Sequence, residues 1–195
     1  RTQVLMDIAN DVNGLVIGTG DMSELALGWA TFNGDHMAMY GTNAGIPKTL
    51  VRAVVEYYAG DCRDASLKAA LHDILSTPVS PELLPPKDGQ IAQKTEELVG
   101  PYKLHDFFIY YMLRRGFSPR KIYRIACNVF KDEFDEEEIL KWEKNFMSRF
   151  FSQQFKRNCM PEGPKVGSVD LSSRGGLHMP SDAVAYVWLD ELDEI

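Results

Sequence analysis

Three observations predict an α/β fold in which helices dominate. One apolar triplet, Leu15-Val16-Ile17, stands between Gly14 and Gly18 and runs into a glycine turn, the pattern of a strand buried in a parallel sheet. Six other stretches carry apolar residues at helical spacing. Two segments, Thr77–Gln90 and Met160–Asp182, are too rich in proline and glycine to be helical, and they divide the chain.

Taken in order, the first helix is expected over Glu24–Trp29, directly after the turn, followed by helices over Lys48–Ala59 and Leu67–Leu75. Beyond the first breaker segment, Leu104–Arg115 ends at Gly116, and Ser118-Pro119 supplies a cap and a first-turn proline for Arg120–Phe130. Within that helix Ile122, Ile125, Ala126 and Val129 fall at core spacing, as do Trp142, Phe146 and Phe150 in the last, Glu136–Phe151. Phe107, Phe108, Tyr110, Tyr111, Phe150 and Phe151 read as core, with the alternative that they form the partner surface of a non-catalytic helical module. The acidic run "DEFDEEE" suits a helix N-terminus, where the dipole favours negative charge.

With 195 residues, 45% of them hydrophobic, the chain can bury a core. A net charge of -7 argues against nucleic-acid binding over the whole surface, which needs clustered Lys and Arg. No apolar run is long enough to cross a membrane and no signal-peptide pattern opens the chain, so a cytoplasmic setting is expected. Cys62, Cys127 and Cys159 have no CxxC spacing and read as buried thiols. The four histidines are scattered, with no HExxH. An opening at Arg1, with a strand-like run soon after, suggests part of a longer protein.

The turn "GTGDMSE" supports two readings. Asp21 and Glu24 fit a capping box, in which each side chain satisfies a backbone N–H at the helix start. Alternatively, the strand, turn and helix N-terminus seat a phosphate or nucleotide, with Thr19 supplying a hydroxyl and Glu24 a carboxylate for Mg²⁺. Lys156, Arg157 and Lys165 follow the last long helix, and read either as a phosphate-carrying loop or as a solvated basic one.

The stretch "VIGTGDMSELALGWATFNGDHMAMYGTNAGIPKTLVR", with "PVSPELLPP", "VGPYKLHDF", "RRGFSPRKI", "FSQQFKRNCMPEGPKV" and "PSDAVAYVWLDE", resembles the synthetase domain of glutamine-dependent NAD⁺ synthetases nearly end to end. The resemblance implies a Rossmann-like ATP-pyrophosphatase fold, incomplete here. It also implies a ligase that joins deamido-NAD⁺, ATP and ammonia through an adenylate, using Mg²⁺. Ammonia would come from a glutaminase domain elsewhere in the full chain, and the assembly would be a homo-oligomer. On this resemblance Thr19, Lys48 and Ser80 contact ATP. Arg1, Glu24, Trp29, Ala30, Thr31, Phe32 and Lys156 contact deamido-NAD⁺, and Glu24 also serves the metal.

Departures bear on what this stretch can do. The family's SGGxDS phosphate loop is missing, and "SSRGGL" (Ser172 to Leu177) lies late, without a preceding strand, so it reads as a loop. No Glu, Lys and Cys constellation of a glutaminase is visible. Residues 1–195 therefore read as the later part of the synthetase domain, inactive in isolation. A sibling amidotransferase such as GMP synthetase is the alternative within the fold, against which "LGW" and "QFKR" stand.

Overall fold

The computed structural model describes residues 1–77 and 98–195 apart from residue 35. The helical signals become helices with ends moved by at most two residues, apart from the α-helix expected to reach Arg115. Among the described residues these are α1 (Thr2–Asp11), α2 (Met22–Leu27), α3 (Lys48–Asp61), α4 (Ala65–Ser76), α5 (Tyr102–Ile109), α6 (Pro119–Val129), α7 (Glu136–Ser152), α8 (Gln154–Arg157) and α9 (Tyr186–Asp193). Helices α8 and α9 carry no strong cap, and α1, whose Val4, Leu5, Ile8 and Val12 fall at helical spacing, has no side-chain cap; sequence reasoning passed over all three.

Caps explain several starts. Asp64 accepts from the backbone N–H groups of Ser66 and Leu67 at the head of α4, and Asp135 accepts from that of Glu138 at the head of α7. Glu136, Glu137 and Glu138 fill the first turn of α7, the placement expected of the acidic run. The start of α6 is different. Ser118 does not cap it; its hydroxyl donates to Glu191 Oε1 on α9 at 2.7 Å, and the same oxygen accepts from Arg120 N at 3.2 Å. A carboxylate from α9 thus caps α6 from outside. The expected helix Leu104–Arg115 is not uniform either, because after Ile109 it loosens into a π-helical turn over Tyr110–Arg114.

The strand is the clearest correction. Only Ile17–Gly18 is paired, in parallel with Tyr40–Gly41, with Ile17 opposite Tyr40 and Gly18 opposite Gly41. Leu15 is 58% exposed and Ile17 48%, so the apolar triplet is not buried by the described residues. Among the described residues the sheet consists of these two strands of two residues each, with no third strand beside them. α1 likewise leaves Val4, Leu5, Ile8 and Val12 exposed, and the hairpin of α3 and α4 leaves Leu50, Val54, Tyr57, Tyr58 and Ile74 exposed.

The core forms where α2, α5, α6, α7 and α9 meet. Ile122, Ala126, Trp142, Phe146 and Phe150 are buried there as their spacing predicts, although Val129 is 54% exposed at the end of α6. Phe108 and Phe150 are buried, and Phe107, Tyr111 and Phe151 pack against them. Of the six aromatics weighed as a partner surface, only Tyr110 is exposed. The three cysteines are free and half-buried rather than fully buried.

Glu143 lies fully within this core on α7, and neither carboxylate oxygen finds a hydrogen-bond partner among the described residues. Burial, with Glu191 nearby, pushes its carboxyl up to about 9. The unfolded chain ionises Glu143 near the ordinary carboxylate range, whereas the folded chain holds the proton. Its contribution to stability is therefore full at low pH and is lost progressively as pH rises towards about 9, at about 1.4 kcal/mol per unit of displacement. Denaturant titration between pH 5 and 9 is expected to give a downward slope that Glu143→Gln flattens, with the variant more stable than wild type at pH 8. An unchanged slope would mean that Glu143 is solvated and ionised in the folded state.

Candidate functional site

At the glycine turn the capping box is complete. Asp21 Oδ1 accepts from Glu24 N at 3.0 Å, and Glu24 Oε2 accepts from Asp21 N at 3.3 Å. Met22 N donates to Ile46 O at 3.0 Å. These donors at the head of α2 are thus satisfied inside the chain, so an incoming phosphate would meet side chains here more than backbone N–H groups.

The decisive side chain is Lys48. Proline at position 47 precedes α3, which fixes the entry to the helix and brings Lys48 Nζ between the two capping carboxylates, 2.7 Å from Asp21 Oδ2 and 2.9 Å from Glu24 Oε1. Asp106, from α5, ties the layers together: it accepts from the Ser23 hydroxyl and from Thr49 N at 3.0 Å and Thr49 Oγ1 at 2.6 Å. Ser23 Oγ in turn accepts from Lys48 N at 2.8 Å. Burial pushes the Asp21, Glu24 and Asp106 carboxyls up, with Lys48 opposing it in each case. For Lys48 burial works against the charge, but Asp21 and Glu24 outweigh it and raise its pKa. The Glu24 side chain remains one-quarter exposed and that of Lys48 16% exposed, so both reach the surface. A single partly exposed carboxylate is the kind of ligand Mg²⁺ takes beside phosphate oxygens and water, and Glu24 is the residue here that fits it. Among the described residues no group of three or more His, Cys, Asp or Glu side chains forms a metal cluster.

The other end of α2 is held by three cations. Arg157 Nη1 donates to Leu25 O at 3.3 Å and Ala26 O at 2.7 Å, and its Nη2 donates to Phe150 O. Arg149 Nε donates to Leu27 O at 3.0 Å. Lys156 Nζ donates to Gly28 O at 2.8 Å and Ala30 O at 2.7 Å. Gly28 makes this approach possible. It adopts φ +58, and a Cβ there would sit 2.3 Å from Gln153 Cβ, so only glycine admits the α7–α8 junction this close. Neither reading of the basic group, phosphate-carrying loop or solvated loop, holds for Arg157: it is fully buried among carbonyls, and burial brings its pKa down to about 10. Of that basic group only Lys165 lies in an exposed loop.

Trp29 to Phe32 follows directly. Trp29 is half-buried against the core with the Arg149 guanidinium 5.2 Å over its ring. Thr31 and Phe32 are exposed, and Phe32 stacks on His36 at 5.6 Å and meets Phe155 at 5.2 Å. The Thr2 hydroxyl donates to Asn33 O and Gly34 O, each at 3.1 Å, so α1, with Arg1 at its N-cap, is tethered beside this segment. Thr19 is exposed at the turn. The structure therefore brings Glu24 and Lys48 together at one end of α2, and Trp29 to Phe32 and Lys156 at the other. Ser80 lies outside the described residues. "SSRGGL" is a turn around Asp170, whose Oδ1 accepts from Ser172 N at 2.9 Å, as its reading as a loop required.

The NAD synthase family model matches residues 1–152 of this chain. The chain belongs to that family. It is 38% identical over 213 residues to a glutamine-dependent NAD(+) synthetase of Mycobacterium leprae, covering 99% of this chain and 31% of that protein. The corresponding protein of Mycobacterium bovis is 40% identical with the same shares of both chains covered, and one from Mus musculus is 28% identical over 75% of this chain and 20% of its own length. The chain thus spans about a third of the length of the bacterial relatives it matches. The crystal structure of a glutamine-dependent NAD(+) synthetase from Cytophaga hutchinsonii shares the fold, with a TM-score of 0.75 at 17% identity over 99% of this chain and 29% of that one. The fold is accordingly the α/β ATP-pyrophosphatase type expected from the sequence, with helices dominating and a small parallel sheet.

Asp106 and Arg149 are the residues sequence reasoning missed, and Arg157 was read there only as part of a basic loop. "VGPYKLHDF" contains Asp106, but nothing local to that motif says that its carboxylate reaches two other helices.

The cationic clamp makes a stability prediction. Arg157→Met removes the donors to Leu25 O and Ala26 O while keeping an unbranched side chain, and it is expected to cost about 3 kcal/mol in denaturant unfolding. A cost below about 0.5 kcal/mol would mean that water replaces the guanidinium without loss.

Proposed function

We propose that these residues form one wall of the ATP and deamido-NAD⁺ sites of a glutamine-dependent NAD⁺ synthetase, and constitute the later part of its synthetase domain. The enzyme amidates deamido-NAD⁺ to NAD⁺ through an adenylate, with ammonia released from glutamine by a glutaminase domain of the full-length protein. The observation that carries this reading is the partly exposed Lys48–Glu24 pair at the glycine turn, in a chain of this family.

The chemistry asks little of the protein beyond positioning and charge. The carboxylate of deamido-NAD⁺ is already ionised and attacks the α-phosphate without a general base, so the residues here bind and orient. Lys48 offers an ammonium to ATP phosphates, Thr19 and Ser80 offer hydroxyls, and Glu24 is the ligand for Mg²⁺, which when bound neutralises phosphate charge. The Trp29 ring, Ala30, Thr31, Phe32 and Arg1 provide the deamido-NAD⁺ wall. Lys156 is a positioning residue for that wall, since it grips the carbonyls of Gly28 and Ala30. The SGGxDS loop is not among these residues, and alone they are expected to make no NAD⁺.

The same reading makes the enzyme a homo-oligomer, for which the exposed apolar residues of α3 offer a contact face, and places it in the cytoplasm, where three free cysteines are at home.

Two substitutions in the full-length enzyme test the assignment, read by NAD⁺ and AMP formation from deamido-NAD⁺, ATP, Mg²⁺ and glutamine. Glu24→Gln keeps a capping acceptor but loses the charge, and is expected to lower turnover about 100-fold with the melting temperature nearly unchanged. Near-normal turnover at limiting magnesium would return Glu24 to a purely capping role. Lys156→Ala is expected to raise KM for deamido-NAD⁺ about tenfold and leave that for ATP unchanged. Equal losses for both substrates would indicate collapse of α2 rather than loosening of the wall.

A further inference from the structure

Beside the Trp29 to Phe32 wall lies a pair that the proposed activity does not use. His36 is 5% exposed and sits under the Phe32 ring, and its Nδ1 lies 3.0 Å from Thr31 O. A backbone carbonyl can only accept, so Nδ1 carries the proton and Nε2 presents its lone pair. That lone pair faces Cys159 Sγ at 3.6 Å. Cys159 is half-buried, at the C-terminal end of α8, and its Sγ also lies 3.3 Å from Lys156 O. Nucleophile, base and orienting acceptor are therefore neighbours across 123 residues of sequence, with Phe155 O, 3.5 Å from Sγ, a further acceptor near the thiol.

We infer that Cys159 is the reactive thiol among Cys62, Cys127 and Cys159, activated by His36 and open to soft electrophiles and peroxides. With a haloacetamide, the S–H proton passes to His36 Nε2, sulfur forms a bond to the methylene carbon, and the carbon–halogen bond breaks to release halide. With hydrogen peroxide, sulfur attacks one oxygen and the O–O bond breaks. The sulfur is oxidised to a sulfenic acid and the peroxide reduced, its departing oxygen taking the proton from His36 to leave as water. The other thiols lack this arrangement. Cys62 Sγ meets only Asp64 O, at 3.6 Å, among the described contacts, and burial pushes the Cys127 thiol up. Modification at Cys159 would act one helical turn from Lys156, whose ammonium holds the carbonyls of Gly28 and Ala30.

The test does not depend on the proposed activity. The native full-length protein is treated with iodoacetamide at pH 7, and alkylation of Cys62, Cys127 and Cys159 is followed by mass spectrometry, normalised to the rates in denaturant. Cys159 is expected to react about tenfold faster than Cys62 and Cys127, and His36→Asn, whose amide can still donate to Thr31 O, is expected to remove that advantage while leaving Cys62 unchanged. Comparable rates for Cys62 and Cys159 in the wild-type protein would overturn the inference without recourse to any variant. So would retention of the Cys159 rate in a folded His36→Asn protein. A second treatment with millimolar hydrogen peroxide, trapped by a sulfenic-acid reagent, is expected to mark Cys159 before Cys62 and Cys127, and marking of Cys62 or Cys127 ahead of it would overturn the peroxide half of the inference.

Discussion

The carbonyl end of α2 is the point on which the arrangement depends. A helix of six residues cannot stabilise itself, because nucleation consumes most of what its few hydrogen bonds return. Here its last carbonyls, and those of Gly28 and Ala30 beyond it, receive donors from Arg157, Arg149 and Lys156. Cations at a helix C-terminus are favoured by the dipole, and buried carbonyls need partners in any case. The Arg157 guanidinium supplies both in a core position where an ammonium would satisfy fewer acceptors. Its burial is costly, as its lowered pKa records, and the cost is offset only because four polar partners surround it, three backbone carbonyls and Gln154 Oε1.

The two ends of α2 consequently divide the work. The C-terminal end is locked by cations whose donors are directed at the backbone, so Trp29 to Phe32 leave the helix in a fixed direction. The N-terminal end is closed by Asp21 and Glu24, but one of these carboxylates stays at the surface with Lys48 beside it. A capping box and a ligand site are not exclusive there. Glu24 Oε2 does the capping while Oε1 faces Lys48, so the chain can exchange the Lys48 contact for a ligand without opening the helix. Asp106 keeps Lys48 in place by holding the adjacent Thr49 and, through Ser23, the backbone of Lys48 itself.

The sequence made the N-terminal end legible and the C-terminal end illegible. Asp21 and Glu24 are three apart and their capping box is a local pattern, as is the run of glutamates at the head of α7; both stand where they were read. Arg157 and Leu25 are 132 residues apart, and no spacing rule relates them. Lys156 and Arg157 looked alike as basic residues near a loop, yet one is half-buried over a backbone turn and the other is wholly within the core. The triplet Leu15-Val16-Ile17 failed for a different reason. Its composition reports what a strand is suited to pack against, and the described residues supply only a two-residue neighbour.

Glu143 and Arg157 set opposite charges in one core and meet opposite fates. The guanidinium cannot shed its proton at any ordinary pH, so the fold must bring acceptors to it, and the carbonyls of Leu25, Ala26 and Phe150 converge. The carboxyl can shed its charge by taking a proton, and burial makes it do so rather than recruit a donor. The absence of any described donor to Glu143 is then not a packing fault. A neutral carboxyl on α7 lets that helix pack against Glu191 of α9 without like-charge repulsion, while Glu191 caps α6 through Ser118 and Arg120.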